Sequence, residues 1–118
     1  MNHGISQRKF GMFSSYRRSV LRNLSTSLIL HGKIETTEAR AKEIRKIVEK
    51  LITNAKEDNL NNRREAYSFL FRKDAVSKLF EVAKNNYIDR TGGYTRILRL
   101  STKRKGDGAP LVIIELVK

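Results

Sequence analysis

Positively charged side chains are the residues of this sequence that are best placed to do chemistry, and the chemistry they suit is the binding of phosphate. The chain has 118 residues, with 25 Lys and Arg against 12 Asp and Glu, which gives a formal net charge of +13 at pH 7. A small domain with such an excess repels itself unless an anionic partner lies against it. A nucleic acid is the usual partner of so basic a chain.

The first concentration of positive charge lies near the start of the chain, where no acidic residue precedes Glu35. Arg17 and Arg18 fall in the first turns of a predicted helix, where the macrodipole opposes a cation by a few tenths to about 1 kcal/mol each. A cost without local compensation indicates a partner outside the chain, and phosphate oxygens at a helix N-terminus would reverse it. The alternative is an ordinary solvated helix start. The candidate phosphate-binding residues here are Arg8, Lys9, Arg17, Arg18 and Arg22.

The second concentration runs from Arg90 to Lys105 and contains the paired glycines Gly92 and Gly93, followed by Tyr94. Paired glycines permit positive φ and a close approach of the backbone to another chain. Tyr94 can stack on an exposed base or pack in the core, and the spacing does not separate these two interpretations. The candidate nucleic-acid-binding residues here are Gly92, Gly93, Tyr94, Arg96, Arg99, Lys103, Arg104 and Lys105.

Catalytic and metal sites find no support in the sequence. The chain has no cysteine, and its two histidines, His3 and His31, have no ligand-spaced partners. It contains no nucleophile elbow, Walker A or dinucleotide fingerprint, and its acidic residues are spread along predicted helix faces instead of clustered. We therefore expect no enzymatic activity, no cofactor, no metal and no small-molecule substrate.

Four helices are predicted to carry many of these basic residues, because apolar side chains recur at three- and four-residue intervals. Gly32 suits the position just after the first helix. The predicted helices are residues 15–31, a second from Thr37 to residue 55, a shorter one after a polar loop at 57–62, and a fourth that Asp74 caps and that ends near Asn85 and Asn86.

Three short strands complete the predicted fold. Residues 33–37 read as a brief strand, and residues 94–102 and 111–117 read as a hairpin around the turn signal Asp107-Gly108. We expect a single α+β domain over residues 15–118, preceded by a basic extended arm at residues 1–14. There is no apolar signal-peptide region and no stretch near the ~18 apolar residues of a membrane span, so we expect a cytoplasmic protein without a membrane partner.

Several short runs keep a characteristic order and spacing along the chain. They are Thr36-Thr37, Arg40-Ala41-Lys42-Glu43, Gly92-Gly93-Tyr94-Thr95-Arg96 and Ala109-Pro110. In these runs and in segments between them, the chain resembles the bacterial large-subunit ribosomal proteins of the L-seventeen family. The likeness is colinear and covers essentially the whole chain.

The resemblance implies helices packed on a small three-stranded mixed sheet, no catalytic activity, and binding to large-subunit ribosomal RNA near the exit of the nascent-chain tunnel. It further implies neighbouring large-subunit ribosomal proteins as partners of a single copy. Residues Met1 to Gln7 lack the dense basic run usual in the family, and we expect few phosphate contacts from them. The RNA-binding candidates that the resemblance implies are Arg8, Lys9, Arg18, Arg22, Arg40, Arg63, Arg64, Arg96 and Arg99, with the turn Gly92-Gly93-Tyr94.

Three other interpretations stay open on the residues alone. A chromatin-like protein that binds DNA or RNA with little preference has the same phosphate chemistry. An accessory nuclease or RNA-modifying enzyme requires a site that the sequence does not display. A basic helix lying on anionic lipid is less consistent with the first helix, which has no Trp and whose apolar stripe suits a core.

Overall fold

The computed structural model describes residues 14–103, 105, 106 and 108–117. The candidates Arg8, Lys9 and Arg104, and nearly all of the predicted arm at residues 1–14, lie outside this part. The described residues form an α+β fold with four helices and three strands, as expected. In chain order the elements are α1 (Ser14–His31), β1 (Lys33–Thr37), α2 (Glu38–Ala55), α3 (Leu60–Leu70), α4 (Lys73–Asn86), β2 (Thr95–Lys103) and β3 (Pro110–Leu116).

The sheet has the order β1-β3-β2, and both pairs of neighbouring strands are antiparallel. Ile114 at the centre of β3 lies opposite Ile34 on one side and Ile97 on the other. The predicted hairpin of the last two strands is confirmed. The prediction of a mixed sheet is wrong, because β1 and β2, which run in the same direction, are separated by β3 and form no parallel pair.

The ends of α1 and α2 follow local sequence signals. Gly32 has a φ of 83°, and its N–H donates to the carbonyl of Leu28 at 2.8 Å, so it closes α1 as predicted. Thr37 has an extended backbone and immediately precedes α2, whose first turn carries Glu38. A carboxylate there complements the positive end of the helix.

The region between α2 and α4 departs from the sequence prediction in two places. The predicted loop at residues 57–62 is shorter, because α3 begins at Leu60. Asn59 caps α3 by accepting the Asn62 N–H at 2.8 Å, a bond typical of N-cap asparagines. Asp74 was predicted to cap α4, but Arg72 occupies the cap position and Asp74 lies inside the first turn.

The core lies between one face of the sheet and the helices. Val112 and Ile114 of β3 are buried there together with Ile44, Val48 and Ile52 of α2. Their neighbours in β3 alternate to the other face, which we call the outer sheet face. Among the described residues it carries Lys33, Glu35, Arg96, Leu98, Leu111, Ile113 and Glu115.

Candidate nucleic-acid interface

The first turns of α1 carry two arginines, of which Arg18 is exposed. The first turn of the helix contains no acidic residue. Arg18 is exposed and forms no ion pair or hydrogen bond with the part of the chain that the structure describes, whereas Arg17 is half-buried. Arg18 is therefore the candidate on this helix whose charge is available to an anion.

Arg22, one turn further along α1, is engaged within the protein. Its Nε–H donates to the carbonyl of Phe69 at 2.6 Å, and its guanidinium lies 4.0 Å from the ring centroid of Phe71. Phe71 follows α3 in the left-handed conformation, with a φ of 60°. A bulky residue is rarely found in this conformation. Because Arg22 contacts both Phe69 and Phe71, it links this strained end of α3 to α1.

The two adjacent arginines of α3 differ in whether their guanidinium groups have a partner within the described part of the protein. Arg63 forms a two-pronged ion pair with Asp58, with N–O distances of 2.6 and 2.9 Å, and its guanidinium lies 4.7 Å from the ring centroid of Phe80. The hydrogen bond with Arg63 holds the pKa of the Asp58 carboxyl below its usual value. Arg64 is exposed and has no acidic partner among the described residues. Arg40, near the start of α2, is half-buried.

The candidate arginines of β2 are exposed but already face carboxylates. Arg96 donates from Nε and Nη2 to Oε1 of Glu115 across the strand pair, at 2.9 and 2.7 Å. Arg99 donates to Glu38 at 3.0 Å, and Lys42 also contacts that carboxylate at 3.0 Å. Their charges are partly balanced inside the protein. Of the two described lysines beyond them, Lys103 ends β2 and Lys105 is exposed in the following turn.

The paired glycines form an exposed turn that a carboxylate of the protein holds. Gly93 has a φ of 67°, and its N–H donates to Glu49 of α2 at 3.3 Å. The other oxygen of Glu49 accepts from the N–H and the hydroxyl of Thr95 at 3.2 and 2.8 Å. The Gly93 amide is therefore occupied within the chain. Gly92 is exposed, and its φ is not positive.

Tyr94 is a core residue, so of the two interpretations that the spacing left open, the structure shows packing in the core, and the ring offers no free face to an exposed base. Its side chain is 0% exposed, and its ring centroid lies 5.1 Å from that of Tyr87. Its hydroxyl donates to the carbonyl of Arg90 and accepts from Thr53, both at 3.2 Å. Burial acts to raise the pKa of this hydroxyl, but hydrogen bonds from Lys56 and Thr53 hold it below its usual value.

Exposed aromatic side chains lie elsewhere, at positions that the sequence analysis did not select. Tyr67 of α3 is 44% exposed and Phe71 is 56% exposed. Tyr67 lines a notch of about 360 Å³ between α3 and α4, with Arg64 and Lys73 beside it. A signal was available for Tyr67, because it falls outside the apolar stripe Ala66, Phe69 and Leu70 and lies three residues after Arg64, within one helical turn of a basic side chain.

The described residues also bear on a metal site and on a membrane-spanning helix. Their His, Asp and Glu side chains form no group of three or more that could hold a metal ion. None of the helices described is both long and apolar enough to cross a membrane.

Comparison with known sequences identifies the family. The family described as Ribosomal protein L17 matches residues 20–117. The chain belongs to the ribosomal protein L17 family. The match covers all the described elements after the first turns of α1, and so includes most of the candidate interface.

Curated relatives agree along nearly the whole length. The chain is 50% identical over 113 residues to the large ribosomal subunit protein bL17 of Moorella thermoacetica, covering 96% of this chain and all of the relative. It is 54% identical to the large ribosomal subunit protein bL17 of a Thermoanaerobacter species, again over 96% of this chain and all of the relative. It is 50% identical over 118 residues to that of Syntrophotalea carbinolica, covering the whole chain and 76% of the relative.

Membership of the L17 family confirms two sequence-based expectations. The resemblance seen in the short runs from Thr36 to Pro110 is confirmed by the family match and by the relatives. The expectation that the chain is not an enzyme is confirmed as well, since a ribosomal protein family is a family of structural components. The large ribosomal subunit of bacteria lies in the cytoplasm, where the L17 family therefore belongs.

Proposed function

We propose that the chain is a structural constituent of the bacterial large ribosomal subunit that binds and stabilises large-subunit ribosomal RNA through phosphate and shape contacts. The observation that carries this proposal is a net charge of +13 with exposed arginines, Arg18 and Arg64, that have no acidic partner among the described residues. Such guanidinium groups bind phosphate through short, charge-assisted and often two-pronged hydrogen bonds.

The contacts of the arginines support two different roles, one in holding the fold together and one in binding RNA. Arg22 and Arg63 hold α1, α3 and the preceding loop together, so their contribution to RNA binding is mainly to shape the surface. Arg96 and Arg99 are exposed and share their carboxylate partners with solvent, so phosphate oxygens can compete for them. Arg18, Arg40, Arg64 and Lys105 are further described cations that we assign to RNA.

The placement near the nascent-chain exit side and the presence of protein neighbours are part of the same proposal, and they rest on the resemblance. The outer sheet face supports protein neighbours, because Leu98 is 44% exposed beside the half-buried Leu111 and Ile113. Scattered apolar side chains are common on surfaces, but a contiguous group suits an interface. Ile113→Lys should lower incorporation into subunits, and unchanged incorporation would count against this part.

The test is binding of the purified full chain to large-subunit and small-subunit ribosomal RNA at several salt concentrations. We expect preference for large-subunit RNA, with an affinity that falls steeply as salt rises, since phosphate contacts release counterions. Equal affinity for both RNAs and for duplex DNA at every salt concentration would instead support a general nucleic-acid binder.

A further inference from the structure

We propose that the notch between α3 and α4 binds one unpaired RNA nucleotide, with its base stacked on Tyr67 and the adjoining phosphate held by Arg64 and Lys73. We call this place the Tyr67 notch; it is lined by Arg63, Arg64, Tyr67, Lys73, Val76 and Ser77. The inference rests on the proposed function and specifies which part of the RNA one place on the surface takes.

The aromatic ring of the Tyr67 notch is exposed for no reason internal to the fold. Helix α3 buries Ala66 and Leu70 against the core, and Tyr67 lies beside this buried stripe, facing the groove towards α4, with 44% of its surface exposed. It makes no side-chain hydrogen bond with the described part of the chain. A tyrosine in such a position offers a flat apolar face to a partner, and stacking on unpaired bases is a common use of such a face.

The charge around this ring is positive and not neutralised locally. Arg64 and Lys73 are exposed, and neither has an acidic partner among the described residues. Two carboxylates are near in sequence. Asp74 is taken by Arg72 at 3.0 and 2.6 Å, and this hydrogen bond keeps the pKa of Asp74 below its usual value. Glu65 does not line the notch and lies instead at a separate pocket with Lys46 and Lys50. The Tyr67 notch therefore attracts an anion to the rim of an aromatic surface.

The size of the notch suits one base and not a helix of RNA. Its volume of about 360 Å³ lies near the lower end of ordinary ligand pockets, which span roughly 300–1,000 Å³. The nearly buried side chain of Val76 forms an apolar wall of the notch, and Ser77 contributes a hydroxyl to its lining. A base paired within a duplex is already stacked between its neighbours, so only an unpaired nucleotide can present its face to Tyr67.

The absence of tryptophan from the sequence provides a direct reporter of stacking. The chain has no Trp, so Tyr67→Trp introduces a single indole at the site. Leu60→Trp is the matched control, because Leu60 begins the same helix, is 65% exposed and lies about 10 Å along the helix axis from Tyr67. The probe is single-stranded oligo(A) RNA of about eight nucleotides, compared with duplex RNA of equal length.

The proposal predicts that oligo(A) quenches the fluorescence of the Tyr67→Trp protein, that duplex RNA does not, and that the Leu60→Trp protein responds to neither. Tyr67→Ala should weaken binding of the single strand by about 5- to 100-fold, the range of one lost stacking contact. Tyr67→Phe should retain the affinity. Arg64→Gln should lower the salt slope for the single strand by about 0.7, equivalent to one phosphate contact.

Three results would overturn the inference. If Tyr67→Ala binds the single strand as tightly as the wild type, and the wild type binds large-subunit RNA, the notch is not a nucleotide site but the proposed function stands. Stronger quenching of the Tyr67→Trp protein by a poly-glutamate peptide than by oligo(A) would assign the notch to an acidic protein segment. If the wild-type chain binds no RNA at all, both the notch and the proposed function fail.

Discussion

One carboxylate oxygen of Glu49 binds both the main-chain N–H and the side-chain hydroxyl of Thr95, at 3.2 and 2.8 Å. Glu49 belongs to α2 and Thr95 begins β2, so this contact joins two elements across 46 positions of the sequence. The other oxygen accepts the N–H of Gly93 at 3.3 Å. Glu49 thereby fixes the turn from which β2 presents Arg96.

Glu49→Gln should destabilise the protein by about 1–3 kcal/mol, because hydrogen bonds to a charged acceptor contribute on that order and the amide has only one oxygen to receive them. The free energy of unfolding in urea checks this. Glu81→Gln is the control, since Glu81 is exposed on α4 and contacts no partner among the described residues. Equal stability of Glu49→Gln and wild type would contradict the structural role of this carboxylate.

The neighbouring glycines of the turn should differ in their tolerance of alanine. Gly93 has a φ of 67°, whereas Gly92 does not have a positive φ, and an added Cβ meets no heavy atom within 4 Å at either position. Because the left-handed region costs an L-residue about 1–2 kcal/mol, Gly93→Ala should lower the free energy of unfolding by that amount. Gly92→Ala should change it by less than about 0.5 kcal/mol. Similar losses in both variants would show that strain at Gly93 is not the cause.

Arg22 and Arg18, four residues apart on α1, should separate stability from RNA binding. Arg22→Ala removes a hydrogen bond to Phe69 and the guanidinium above Phe71, and should cost about 1–2 kcal/mol in urea unfolding. Arg18→Ala should not lower stability, and should raise it by up to about 1 kcal/mol because the cation opposes the helix dipole; it should lower the salt slope of binding to large-subunit RNA by about 1. The assignment of these roles is wrong if Arg18→Ala destabilises the fold as much as Arg22→Ala does.

Glu115→Gln should strengthen RNA binding, because it releases Arg96 from its carboxylate partner on the outer sheet face. An exposed pair of this kind is worth 0 to about 1 kcal/mol, so the gain at low salt should reach at most about fivefold. Salt should abolish the gain, since the interaction is exposed to solvent. Titration of large-subunit RNA at two salt concentrations measures both effects, and a loss of affinity at low salt would contradict the assignment of Arg96 to RNA.

The elements that the sequence predicts well are those whose signals are local. The apolar stripe of α1 and the closing Gly32 lie within a few turns of each other, and the hairpin of β2 and β3 follows from strands on either side of a short turn. The start of α3 was missed because Asn59, Asn62 and Glu57 look like a loop when only their polarity is considered. In the structure the Asn59 side chain caps α3 by accepting the Asn62 N–H, and the Asn62 side chain donates to the main-chain carbonyls of Asn54 and Glu57 at the end of α2.

The roles of individual site residues depend on contacts between distant parts of the chain, which spacing does not reveal. Tyr94 and Glu49 are 45 positions apart in the printed sequence, yet both lie at the glycine turn. Tyr94 packs in the core beneath the turn, and Glu49 binds the Gly93 N–H and so holds the turn in place. Arg63 and Arg64 are adjacent and look equivalent, but within the described part of the chain only Arg63 meets a carboxylate. The charge excess pointed to the class of partner, whereas only three-dimensional contacts separate structural arginines from available ones.

Sedimentation of the tagged full-length protein from a cell lysate through a sucrose gradient, before and after a high-salt wash, tests whether the chain is a constituent of the large subunit. We predict recovery at one copy per large subunit in both gradients, because many phosphate and shape contacts hold it there. Protein found free at the top of the gradient, or removed from all nucleic acid by moderate salt, would contradict the proposed function.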